Sequence, residues 1–160
     1  MKKILIPFLM TLLLSGCDKE PSLNEMKKNF EENKSAFTEI QTLTCELGKT
    51  KQPFSYTKNK FVYGTRTKVE NKIPELDSLL ERIGSDAVSF RRGEDGECIL
   101  LIQYYVRGFA GIGITYDYRY NIENPIPLIE TEHLIDGEPN MLDSFDIYLS
   151  DGWYLSFEHK

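Results

Sequence analysis

The chain has 160 residues, with 19 basic and 25 acidic side chains and a formal net charge of −6. That length holds one domain with a sizeable core rather than two. Three cysteines and two histidines leave few candidates for a metal centre or an activated nucleophile.

In chain order, Met1-Lys2-Lys3 gives a positive start, Ile4 to Leu14 is apolar, and Ser15 and Gly16 are small. A spanning helix needs about 20 apolar residues, and this run is little more than half as long before Asp18-Lys19-Glu20. Leu14-Ser15-Gly16-Cys17 resembles a bacterial lipobox. The resemblance implies a signal peptide over residues 1–16 and a palmitate-bearing lipid on Cys17. It also implies a membrane-anchored lipoprotein facing the periplasm. Two or more acyl chains anchor stably without a spanning helix. Among such lipoproteins Asp18 favours the inner membrane, and Lys19 beside it leaves the outer membrane open. The mature chain then keeps 144 residues, with 17 basic against 25 acidic side chains and a net charge of −8.

Residues 17–21 are the lipidated N-terminus and a short tether. Asp18 to Pro21 spans at most about 14 Å, so the domain over 22–160 lies close to the headgroups. Ser22 and Glu25 have capping-box spacing. Leu23, Met26, Phe30, Phe37, Ile40, Leu43 and Leu47 then recur at helical intervals, predicting one amphipathic helix of about seven turns. Gly48 is its expected stop. An oxidising compartment makes Cys45 and Cys98 a disulfide candidate, closing a loop of 53 residues. Two buried free thiols are the alternative.

Residues 49–69 hold Lys49, Lys51, Lys58, Lys60, Arg66 and Lys68 with no acid, interleaved with Phe54, Tyr56, Phe61 and Tyr63. A solvated strand face accounts for them first and anionic lipid headgroups second; the periplasmic address argues against nucleic acid. Pro74 opens a short second helix through Leu76, Leu79, Leu80 and Ile83 to Gly84. Strands follow at 87–92, 98–106 and 112–120, the first two joined by a turn at Asp95-Gly96. A last hairpin pairs Phe145–Leu149 with Trp153–Phe157 around Asp151-Gly152. Residues 121–143, with three prolines, read as an irregular crossing. The fold expectation is α+β: the N-terminal amphipathic helix and the short second helix packed on one face of an antiparallel sheet of about five to six strands.

Catalytic signals are thin. His133 and His159 have no serine or cysteine partner at a known spacing, and there is no Gly-x-Ser-x-Gly elbow. Gly108-Phe109-Ala110-Gly111-Ile112-Gly113 precedes a strand, not a helix, and so reads as a hairpin tip rather than a phosphate cradle. Asp136-Gly137-Glu138 lacks the alternating ligands of a calcium loop. The reading is therefore not an enzyme, with no catalytic residue, metal or cofactor.

Residues 121–159 carry nine acids and no lysine or arginine. Such a surface steers cationic partners, and near an anionic membrane it should point away into the periplasm. Tyrosine and tryptophan make good anchors. Candidate partner-binding residues are Glu130, Glu132, Asp136, Glu138, Asp143, Asp146, Tyr148, Asp151 and Trp153. Lipobox, N-terminal helix, antiparallel sheet, paired cysteines and acidic end together resemble, as a class, periplasmic immunity or inhibitor lipoproteins. That resemblance implies occlusion of a cationic toxin. An envelope-maintenance or assembly lipoprotein binding another envelope protein or lipid is the alternative, and a peptidoglycan or lipid hydrolase the least favoured.

Overall fold

The computed structural model describes residues 19–50, 60–64, 72–109, 112–140 and 143–159. Cys17 and most of the basic 49–69 stretch lie outside the described residues. The fold is α+β, with a six-stranded antiparallel sheet and four helices among the described residues.

Helix α1 (Leu23–Glu32) starts at the expected capping box. The Ser22 amide donates to Glu25 Oε2 at 2.8 Å, and the Glu25 amide donates back to Ser22 Oγ at 3.2 Å. The Ser22 amide, the Ser22 hydroxyl and Lys19, in that order, hold the Glu25 carboxyl below its ordinary pKa.

The single long helix is in fact two. Asn33, at φ −119° and ψ 21°, separates α1 from α2 (Lys34–Thr50). Its side-chain amide donates to the carbonyl of Asn29 at 3.0 Å and to Asn29 Oδ1 at 2.9 Å. Asparagine side chains compete with the helical ladder in this way, offering the backbone an alternative partner. Arg82 fixes the break from outside by donating to Asn33 Oδ1 at 3.2 Å. Gly48 does not stop α2, which runs on to Thr50. The glycine serves close approach instead: a Cβ added there would fall 2.6 Å from a ring carbon of Phe90. Helix α3 (Pro74–Arg82) keeps its expected bounds, with Gly84 following at φ +73°.

Strands β1 (Lys60–Gly64), β2 (Ala87–Arg92), β3 (Cys98–Phe109), β4 (Ile112–Tyr120), β7 (Phe145–Tyr148) and β8 (Trp153–His159) stand in the order β1-β2-β3-β4-β8-β7, each neighbouring pair antiparallel. The turns obey local chemistry. Between β2 and β3 the Gly93 amide donates to the Glu97 carbonyl at 2.9 Å around a three-residue loop with Gly96 at φ +82°, a type I turn closed by a left-handed glycine. Between β7 and β8, Asp151 (φ 52°) and Gly152 (φ 82°) form a two-residue primed turn.

The 121–143 crossing is more regular than expected. It contains the single-turn α4 (Glu130–His133) and a small hairpin of β5 (Leu134–Ile135) and β6 (Glu138–Pro139). Asp136 and Gly137 join these strands at φ 53° and 83°. The crossing carries the chain past one position, so β8 fits between β4 and β7. Its own backbone extends the sheet edge: Pro127 bridges Asp146 in parallel, and the Asp146 amide donates to the Ile126 carbonyl at 2.6 Å.

One buried cluster draws on the helices and strands alike. Phe37 of α2 meets Tyr118 at 4.7 Å and Trp153 at 5.2 Å between ring centroids. The Tyr118 hydroxyl donates to the Met26 carbonyl at 2.8 Å and accepts from Asn29 Nδ2 at 3.2 Å, so its polar atom is satisfied. A register shift between Gln103 and Tyr105 makes a bulge at Tyr104. Alternation sends neighbouring tyrosines to opposite faces, whereas a bulge re-aims one of them. Both rings reach core tyrosines: Tyr104 meets Tyr118 at 5.4 Å and Tyr105 meets Tyr116 at 6.1 Å. The disulfide links Cys45 of α2 to Cys98 at the start of β3, Cα to Cα 5.7 Å. No helix among the described residues is long and apolar enough to cross a membrane.

Candidate functional site

Antiparallel register lines up side chains in rows across the sheet. One row is Ile102, Tyr118, Leu155 and Ile147; the next, on the other face, is Gln103, Asp117, Ser156 and Asp146. Beside the polar row runs a second one of Leu101, Arg119, Tyr154 and Tyr148. The acidic C-terminal third therefore meets the single base of that row.

Arg119 Nη2 donates to Asp117 Oδ2 at 3.0 Å and to Glu158 Oε1 at 2.6 Å. Burial disfavours the guanidinium charge, but Glu158 and then Asp117 outweigh it and hold the Arg119 pKa above its ordinary value. Asp146, only 9% exposed, accepts from the Ile126 amide at 2.8 Å and from the Ser156 hydroxyl. Its carboxylate thus fastens the crossing to β7. In this structure the candidate Asp146 is a structural latch.

The other candidates divide by place. Trp153 is 3% exposed and packs against Phe30, Phe37 and Tyr120, so its ring belongs to the core. Tyr148 is 60% exposed, with its ring set edge-on to Tyr154 at 5.3 Å. Glu130, Glu132, Asp136, Glu138 and Asp151 are exposed. Asp143 is half-buried and accepts from Asn140 Nδ2 at 2.7 Å. These acids do not make one patch. Asp151 lies in the β7–β8 turn, whereas Glu138 acts on the Tyr116 phenol towards the other end of the sheet. The lipid site Cys17 lies outside the described residues.

Sequence reasoning passed over Ile126, Ile129 and Ile135, which are exposed around the same acids. Their signal is apolar side chains in a proline-rich segment with no alternation to bury them. His133 is absorbed structurally: its Nδ1 accepts from the Ile129 amide at 2.9 Å, and its ring stacks on Phe145 at 5.6 Å.

A third cluster surrounds Glu20. The Tyr116 hydroxyl donates to Glu20 Oε1 at 3.0 Å, and Arg107 pairs with Glu20 Oε2 at 3.4 Å. Burial, reinforced by the Glu20 carboxylate, pushes the Tyr116 phenol well above its ordinary pKa; burial does the same to Tyr118. Among the described residues no group of three or more histidines, cysteines or carboxylates could hold a metal ion. No family model, curated protein or solved structure matches this chain.

Proposed function

We propose that this chain is a lipid-anchored, periplasm-facing binding protein of the immunity or inhibitor kind, which occludes a cationic toxin. The observation that carries the reading is exposed Tyr148, backed by Tyr154, in a segment with nine acids and no lysine or arginine between residues 121 and 159. An exposed aromatic side chain gives a binding surface its anchor, and acidic side chains along the same segment speed the capture of a cationic partner. Exposed Ile126, Ile129 and Ile135 add apolar contact area. The ring contacts of Phe30 and Phe37 with Tyr118 and Trp153 support a layered arrangement, with α1 and α2 over one face of the sheet. On the other face Tyr148, exposed on the edge strand β7, then remains for a partner.

The reading expects a toxin gene beside this one, and the test is a challenge assay in cells that direct its product to the periplasm. Cells carrying the chain are expected to survive, and Tyr148→Ala is expected to lower survival without unfolding the protein. The on-rate for that toxin should fall as salt rises, because exposed charges are screened beyond about 8 Å at physiological ionic strength. Equal killing with and without the chain overturns the reading, and a salt-independent on-rate removes the acidic surface from it.

A further inference from the structure

We propose that the β3–β4 end of the domain is its membrane-contact surface, with Arg107 on anionic headgroups and Val106 and Ile112 at the headgroup–acyl boundary. The inference rests on the lipid-anchor reading of Cys17 and adds to it the surface that the anchor holds against the bilayer.

The tether chooses the end. Glu20 stands three positions after Cys17 and is fastened to Tyr116 and Arg107 by the two contacts at 3.0 Å and 3.4 Å. Three extended residues span at most about 10 Å. A lipid on Cys17 therefore enters its bilayer close to Arg107, whatever path the intervening residues take. Lys19 adds a second cation there, 3.9 Å from Glu25 and otherwise exposed.

The side chains at this end suit that place. Val106 is 50% and Ile112 69% exposed, one on each strand and on opposite faces of the ribbon. Exposed aliphatic side chains are ordinary on a protein surface; these two flank Arg107 beside the tether. Between them Gly108 pairs with Gly113, and a Cβ on either would fall 2.4 or 2.3 Å from the opposing strand's carbonyl oxygen. The ribbon is therefore narrow where it meets the headgroups.

The far end fits the same orientation. From Ile112 to Tyr120 β4 rises about 27 Å at roughly 3.4 Å per residue. Tyr120 pairs with Trp153, next to the β7–β8 turn; Tyr148 ends the strand before that turn and Asp151 lies in it. Tyr148 and the β7–β8 turn thus face the periplasm while the β3–β4 end faces lipid.

The test places a reporter at each end of the full-length lipidated protein. Ile112→Trp, Val106→Trp and Tyr148→Trp variants are reconstituted in phosphatidylglycerol-containing vesicles whose acyl chains are brominated near the headgroup. Native Trp153 gives all three the same background. After that background is subtracted, reporter emission at residue 112 or 106 is expected to drop about twofold against unbrominated vesicles, with no such drop at residue 148. A protein that floats with the vesicles yet shows no quenching at 106 or 112, or stronger quenching at 148, overturns the surface assignment and leaves the anchor standing. A protein that neither floats nor takes up palmitate overturns both.

Discussion

Removing the Cys45–Cys98 bridge should cost this domain about a quarter or more of its stability. The bond closes a loop of 53 residues between the second helix and the third strand. In the chain-entropy account a loop of that length loses about 14 cal/mol/K in the unfolded chain, or about 4 kcal/mol at room temperature. Domains of this size hold only about 5–15 kcal/mol in total. Cys45 is buried and Cys98 packs against the core, so truncating both side chains adds a small packing loss in the same direction. The assay is urea unfolding of the oxidised protein against the Cys45→Ala/Cys98→Ala double variant. With a slope of about 2 kcal/mol per molar urea, the midpoint should fall by about 2 M. Alkylation in denaturant should label both cysteines only after reduction. Equal labelling with and without reductant refutes the bridge; a midpoint shift below about 0.5 M with the bridge confirmed refutes the entropic reasoning.

Two further outcomes follow from buried polar groups. Asp146→Ala strands the Ile126 amide and the Ser156 hydroxyl, so it should destabilise by about 1–3 kcal/mol and speed hydrogen exchange at Ile126; unchanged exchange there would remove the latch. Tyr116 has a folded-state pKa raised above the ordinary value of 10.0. The unfolded chain therefore loses the phenolic proton first: stability from this group is complete below about pH 10 and declines above it by about 1.4 kcal/mol per pH unit. Tyr116→Phe should remove that share of the alkaline slope, and an identical slope in both proteins would contradict it.

Elements made by near neighbours were legible from the residues alone. The Ser22–Glu25 cap, α3 between Pro74 and Gly84, and the Asp-Gly turns each depend on bonds within a few positions. The two-residue alternation of β4 was equally plain. The same alternation groups Trp153 with Leu155 and Phe157 on the apolar face, where all three are buried. Tyr148, out of step with that face, is the exposed one of the two candidate aromatics.

Tertiary structure decided everything that depends on which distant segment arrives. The helical stripe from Leu23 to Leu47 carries no sign of the break at Asn33, because Arg82, which fixes it from outside, lies 49 residues on. Gly48 has the local signature of a helix stop and instead makes room for Phe90. Asp146 looks like any surface acid until β8 and the crossing bring Ser156 and Ile126 to it. The arrangement of Arg119, Asp117 and Glu158 likewise exists only in the β4–β8 register. Sequence encodes periodicity and turn chemistry through short-range sterics, whereas burial and pairing of polar groups are set by neighbours that only the packed chain supplies.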